Sequence, residues 1–164
     1  MLWPTSSSSD FAILPARSRV ELISAAALLR AYAKSLPVDL GPQGFSQELE
    51  SLPGPYAPPG GELLLAKRGD HVLGCIGLKP LAPGIAEIKR LFVREQARGL
   101  GVGKALIEAI TRTARELGYA EVKLDTLPQM QSAIALYQAA GFVPIAPYGS
   151  HAYPGLVCFG KPLD

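Results

Sequence analysis

Hydrophobic and polar positions change period several times along this chain, and each change marks an element. Leu22, Ala25, Ala26, Leu29 and Tyr32 recur at helical spacing behind Ser18 and Glu21, whose separation is a capping-box pattern. They predict a first helix. Residues 11–14 before it form a short strand ended by Pro15, and residues 45–52 after it form a shorter helix stopped by Pro53-Gly54-Pro55. Residues 53–61, dense in Pro and Gly, make an internal loop with the character of a lid. The apolar runs 62–67 and 71–78 flank Arg68-Gly69-Asp70 as a hairpin, and residues 80–84 turn the chain into a third strand over 85–94.

From Val102 the period returns to helical. Ala105, Leu106, Ala109, Ile110, Thr113 and Leu117 share one face, with Gly118 as the stop. Residues 121–126 then alternate, placing Val122, Leu124 and Thr126 together. Strand, helix, strand implies a crossover and a parallel pair. Met130, Ala133, Ile134, Tyr137 and Ala140 trace another helix closed by Gly141, and strands follow near 142–145 and 156–160. The predicted class is α/β with a mixed sheet. At 164 residues the size suits one domain, expected over 11–164 behind a flexible serine-rich lead, 1–10.

Composition narrows the function classes. Hydrophobic residues make up 48% and charged residues 18%, which excludes general disorder. A net charge of +2 provides no broad field for nucleic acid; the local cluster Arg90, Arg94, Arg98 and Lys104 suits a small polyanion instead. The lead lacks the basic and apolar regions of a secretory signal, and no apolar run approaches the roughly 20 residues that span a bilayer. No membrane partner and a cytoplasmic location are expected. Cys75 and Cys158 have neither zinc nor redox spacing and are read as buried free thiols.

The chemistry concentrates in Gln96-Ala97-Arg98-Gly99-Leu100-Gly101-Val102-Gly103-Lys104, between a strand and the helix from Val102. A glycine-rich turn there brings bare backbone amides and the positive end of the helix dipole to an anion. A P-loop would need glycine at Arg98 and Ser or Thr at Ala105, and a dinucleotide fingerprint would need glycine at Lys104 or Leu106. Both fail. The Gln/Arg-x-x-Gly-x-Gly/Ala pattern of Gln96 to Gly101 resembles instead the GNAT superfamily of acetyl-CoA-dependent N-acetyltransferases. The resemblance extends upstream to Ala86-Glu87-Ile88-Lys89-Arg90-Leu91-Phe92-Val93 and downstream to Ala133-Ile134-Ala135-Leu136-Tyr137 with Gly141-Phe142.

That resemblance implies a single-domain fold whose mostly antiparallel sheet has a parallel pair splayed at the cofactor site, flanked by about four helices. It implies acetyl-CoA as cofactor, its pantetheine arm paired with main-chain groups of Leu91, Phe92 and Val93 as an added strand. Its pyrophosphate would lie on the turn Arg98, Gly99, Leu100, Gly101, Val102, Gly103 and Lys104. Glu87 aligns with the general base of several members, directly or through water; the plainer reading is a surface carboxylate paired with Lys89 or Lys123. Tyr137 matches the tyrosine that protonates the departing thiolate, and its rival role is core packing. Met130 stands where many relatives carry an asparagine that steadies the pantetheine arm.

Acceptor recognition would fall to Tyr32, Tyr56, Tyr148, His151 and Tyr153, with Arg90 as a clamp for an acceptor carboxylate or as a structural salt bridge. His151 is assigned no catalytic role. The expected function is acetyl transfer, without a metal, to the primary amine of a small molecule, amino-acid-like acceptors included. The alternatives are a protein N-terminal or lysine acetyltransferase and a non-catalytic CoA-binding module. The sequence leaves a homodimer open.

Overall fold

The computed structural model describes residues 10–41, 44–149 and 155–164. Residues 1–9 of the expected lead, His151 and Tyr153 lie outside the described residues. In chain order the elements are β1 (Ala12–Pro15), α1 (Arg19–Ser35), α2 (Phe45–Ser51), β2 (Glu62–Arg68), β3 (His71–Ala82), β4 (Ile85–Val93), α3 (Val102–Glu116), β5 (Glu121–Thr126), α4 (Gln131–Ala139), β6 (Val143–Ile145) and β7 (Val157–Pro162). The strands form one sheet in the order β1-β2-β3-β4-β5-β7-β6. Every neighbouring pair is antiparallel except β4 and β5, which run parallel as the crossover through α3 requires.

Both faces of the sheet are covered, which is why β2 carries the unbroken apolar run Leu63-Leu64-Leu65-Ala66. Leu63 and Leu65 pack with Ala25, Leu28 and Leu29 of α1 and with Tyr56, while Leu64 and Ala66 pack with Val102, Leu106, Ile107 and Ile110 of α3. The predicted capping box closes α1: Ser18 Oγ accepts from the Glu21 amide and Glu21 Oε1 accepts from the Ser18 amide.

Four details differ from the sequence reading. Pro15 belongs to β1 instead of ending it, because β1 is an edge strand where a missing N–H is tolerated. Pro80 lies within β3, beyond Leu78 where the ladder with β2 stops, and the turn is the tighter Pro83-Gly84. The buried face of α3 is rotated from the predicted one: Val102, Gly103, Leu106, Ile107, Ile110, Thr111 and Ala114 face inward and Leu117 is exposed. Thr111 is tolerated there because its Oγ1 donates to the Ile107 carbonyl at 2.7 Å. Finally, the segment 53–61 is no lid. It forms a 3-10 turn over Gly54–Tyr56 and buries Tyr56, 1% exposed, against β3.

Candidate active site

The site begins where the parallel pair comes apart. The β4–β5 ladder joins Ile85, Ala86 and Glu87 to Glu121, Val122 and Lys123, and beyond it β4 runs on to Val93 and β5 to Thr126. The β3–β4 register shifts at the same place, with Gly77 opposite Lys89 and Cys75 opposite Phe92. One extra β4 residue is therefore accommodated, a β-bulge, and Arg90 within it takes φ +66°. Bulges re-aim side chains. Here Ile88 before the bulge and Leu91 and Val93 after it all pack on the α3 face, although their spacing would otherwise place them on opposite sides.

On the α3 side the parted strands open a groove of about 720 Å³. One wall is Leu91, Phe92 and Val93, the end is Arg98, Gly99, Gly101, Val102, Gly103 and Lys104, and the other wall is the segment from Gln129 to Ala133 with Leu136. Gly99 and Gly101 both take φ +82°, and a Cβ on either would meet nothing within 4 Å, so their glycine identity answers to backbone conformation. The first α-helical bond of α3 runs from the Ala105 amide to the Gly101 carbonyl, so the amides of Val102, Gly103 and Lys104 precede the ladder at the groove's end. Gly103 is glycine for a different reason: a Cβ there would lie 2.8 Å from Leu136 Cδ1, where α3 and α4 pack together. This end of the groove suits a phosphate-bearing ligand, with Arg98 and Lys104 exposed beside it. Leu100, predicted for the turn, packs against the core instead.

A second, smaller cavity of about 50 Å³ adjoins the groove. The two share Leu91, Met130 and Ala133. Tyr32, Leu36, Val38 and Leu40 give the small cavity an apolar wall, while Lys89, Arg90, Asp125 and Tyr137 bring its polar chemistry. Tyr137 is 5% exposed, with its ring 5.7 Å from that of Phe142. Burial pushes its phenol well above the ordinary tyrosine range, so it stays protonated at neutral pH. Burial also pulls the Lys89 ammonium below its usual value, opposed by the charge of Glu87. Lys89 and Asp125 were not singled out by motif; the two-residue period from Glu87 to Lys89 and from Lys123 to Asp125 was the available signal. Met130 caps α4 without a side-chain hydrogen bond and contributes apolar surface to both spaces.

Glu87 lines neither space. It is 5% exposed on β4, where Oε2 accepts a hydrogen bond from the Tyr148 hydroxyl at 2.7 Å and Oε1 lies 3.6 Å from Lys79 Nζ. Lys79, its register neighbour on β3, makes this ion pair, and the Glu87 charge also acts on Lys89, one of the two anticipated partners. Lys123 instead lies over the Tyr148 ring at 5.4 Å.

The residues expected to recognise the acceptor fall in different places. Arg90 is 5% exposed and grips Glu48 of α2 through Nε and Nη2, each at 2.9 Å, so its guanidinium makes the structural salt bridge, and the residue also lines the small cavity. Tyr56 is buried under α1 and lines neither cavity. The basic cluster also divides, because Arg94 Nε donates to the Val72 carbonyl and only Arg98 and Lys104 reach the groove. Tyr32 does line the small cavity, edge-on to Phe92 at 6.0 Å, whereas the Tyr148 hydroxyl donates to Glu87.

Among the described residues no group of three or more His, Cys, Asp or Glu side chains gathers to hold a metal, and no helix is long and apolar enough to cross a membrane. Cys75 and Cys158 are buried free thiols.

The sequence profile of the acetyltransferase (GNAT) family matches residues 26–142. An uncharacterised N-acetyltransferase of Schizosaccharomyces pombe is 37% identical over 133 residues, 79% of this chain and 81% of the relative. An acetyltransferase of the GNAT family from Staphylococcus aureus Mu50 has the same fold, with a TM-score of 0.79 at 23% identity over 94% of this chain and 99% of that one. So does yncA from Salmonella typhimurium, solved with its cofactor acetyl-CoA, with a TM-score of 0.70 at 16% identity over 94% and 95% of the two chains. A groove at the parting of β4 and β5, a glycine turn at its end and a family profile across most of the chain agree: this chain belongs to the acetyltransferase (GNAT) family and is an N-acetyltransferase.

Proposed function

We propose that this enzyme moves the acetyl group of acetyl-CoA to the primary amine of a small, amino-acid-like molecule, by direct attack in a ternary complex. The carrying observation is that a long groove ending in backbone amides meets a small polar cavity at Leu91, Met130 and Ala133. When bound, acetyl-CoA supplies an activated acetyl thioester. The main chain of Leu91, Phe92 and Val93 would hold its arm, and the turn from Arg98 to Lys104 its phosphates.

The acceptor belongs in the small cavity. A space of about 50 Å³ walled by α1 and the residues after it suits a compact molecule better than a polypeptide segment. Asp125 provides an anionic group for the acceptor ammonium and Lys89 a cationic group for a carboxylate, on either side of the parted strands. Glu87 stands outside the cavity, so it receives the amine proton through water and not by direct contact. Tyr137 Oη keeps its proton at neutral pH and donates it where thiolate charge develops.

Release of free CoA, followed with acetyl-CoA and a panel of amines, tests this reading. Amino acids are expected to turn over faster than their decarboxylated amines and far faster than peptides bearing free N-termini or lysines. Preferential turnover of peptides would establish the protein acetyltransferase instead, and binding of acetyl-CoA with no turnover of any amine would leave a CoA-binding module.

A further inference from the structure

We infer that Glu48, on the opposite face of the sheet from the groove, is a positioning residue for the transfer reaction, acting through Arg90 on the β4 bulge. Among the described residues Arg90 is the sole non-glycine residue with positive φ, at +66°. An arginine backbone does not settle in the left-handed region unaided, so something must over-determine it. The side chain does so. Its Nε and Nη2 donate in a bidentate fork to Glu48 Oε2 and Oε1, both at 2.9 Å, with side-chain exposures of 3% for Arg90 and 10% for Glu48. The guanidinium also lies over Phe45 at 5.5 Å and Tyr32 at 6.0 Å.

The main chain is held from the other strand as well, because Cys75 Sγ donates to the Arg90 carbonyl at 3.4 Å. Gly77, opposite Lys89, has no Cβ, and one placed there would strike the Tyr56 ring at 2.8 Å, so the ring seats closely beneath the bulge.

What this grip controls lies one residue further on. Leu91 lines both the groove and the small cavity, and Phe92 and Val93 continue the groove wall. Relaxing Arg90 to an ordinary extended conformation would remove the extra residue's accommodation and turn the following main chain away from the groove. Glu48 itself lines neither space. Its effect on chemistry therefore passes through Arg90, which itself lines the small cavity beside Tyr32, to the segment that orients the cofactor arm.

This inference rests on the acetyl-CoA reading, and its test separates the two. Acetyl-CoA binding by calorimetry and steady-state kcat are measured for the wild type, Glu48→Gln, Arg90→Lys, Arg90→Met and the double variant Glu48→Gln/Arg90→Met. Leu63→Val, a truncation in the α1-side core, serves as a control for lost stability. Misplaced reacting groups predict kcat lower by about 10- to 100-fold in Glu48→Gln and Arg90→Met, with weakened acetyl-CoA binding. Arg90→Lys, which keeps the charge and loses the fork, should fall between them and the wild type. The double variant should be no worse than Arg90→Met, as expected of residues acting as one unit.

Wild-type binding and kcat retained in the pair variants, with only thermal stability lost as in Leu63→Val, would overturn the inference and leave the acetyl-CoA reading standing. A wild type that does not bind acetyl-CoA would overturn both. If every pair variant fails to fold, the pair is a folding element and the inference fails.

Discussion

The Tyr148 hydroxyl donates a 2.7 Å hydrogen bond to Glu87 Oε2, joining the loop after β6 to the first part of β4. Burial and the Glu87 charge together push the Tyr148 phenol far above its ordinary range, so it acts as a donor and Glu87 as the acceptor.

If Glu87 takes the acceptor proton, Glu87→Gln should lower kcat/KM by roughly 100-fold, the scale of general-base catalysis. The deficit should narrow as pH rises toward the pKa of the amine, since more acceptor then arrives neutral. Tyr148→Phe should cost less, and the double variant little more than Glu87→Gln, because both act on one carboxylate. A pH profile of kcat/KM for the three variants checks this. Unchanged turnover in Glu87→Gln at every pH would remove the residue from the mechanism.

Tyr137→Phe retains the ring that packs against Phe142 and removes the proton. Its kcat should drop by about 10- to 100-fold with little change in thermal midpoint. Tyr137→Ala also empties core volume and should cost about 3–5 kcal/mol of stability. Full activity in the Phe variant would make Tyr137 a packing residue.

The two glycine positions separate ligand binding from packing. Acetyl-CoA at a hundredfold excess over Kd should stabilise the wild type by about 2.7 kcal/mol in a thermal melt. Gly101→Val forces a branched side chain into φ +82° and should cost about 1–2 kcal/mol of apo stability while abolishing the ligand shift. In Gly103→Ala the gain in helix propensity, about 1 kcal/mol, offsets the displacement of Leu136. Its apo midpoint should barely move, and its ligand shift should shrink because Leu136 lines the groove.

Cys75 should make stability fall at alkaline pH. Burial pushes its thiol up to about 12, so the folded state keeps a proton that the unfolded chain releases. The thiol's stabilising contribution is therefore complete below its unfolded pKa of about 8.5 and is lost as pH rises through the folded value. Thermal melts from neutral pH upward should show a decline that starts earlier in the wild type than in Cys75→Ala. Parallel profiles would show that the thiol does not titrate in this range.

Much of this protein is written locally. The capping box of Ser18 and Glu21, the glycine turn before α3 and the alternation of β5 each depend on neighbours a few residues apart, so pattern alone places them. The order strand, helix, strand likewise dictates a parallel β4–β5 pair, because a crossover permits no other simple pairing. The glycine turn from Arg98 to Lys104 was legible for the same reason, whereas Leu91, Phe92 and Val93 followed from the family resemblance; all of these but Leu100 line the groove.

Tertiary structure alone decided what depends on partners far along the chain. Arg90 was equally a substrate clamp or a structural pair until Glu48, 42 residues away, was seen to hold it. Residues 53–61 had a lid's composition, yet the space left by Gly77 admits Tyr56 and seats the segment against β3. The bulge that carries Leu91 toward the groove has no sequence period of its own, since one inserted residue reverses every following side chain without altering composition. Lys89 and Asp125 meet in one cavity because β4 and β5 part after Glu87, and where a ladder ends is settled by what packs around it.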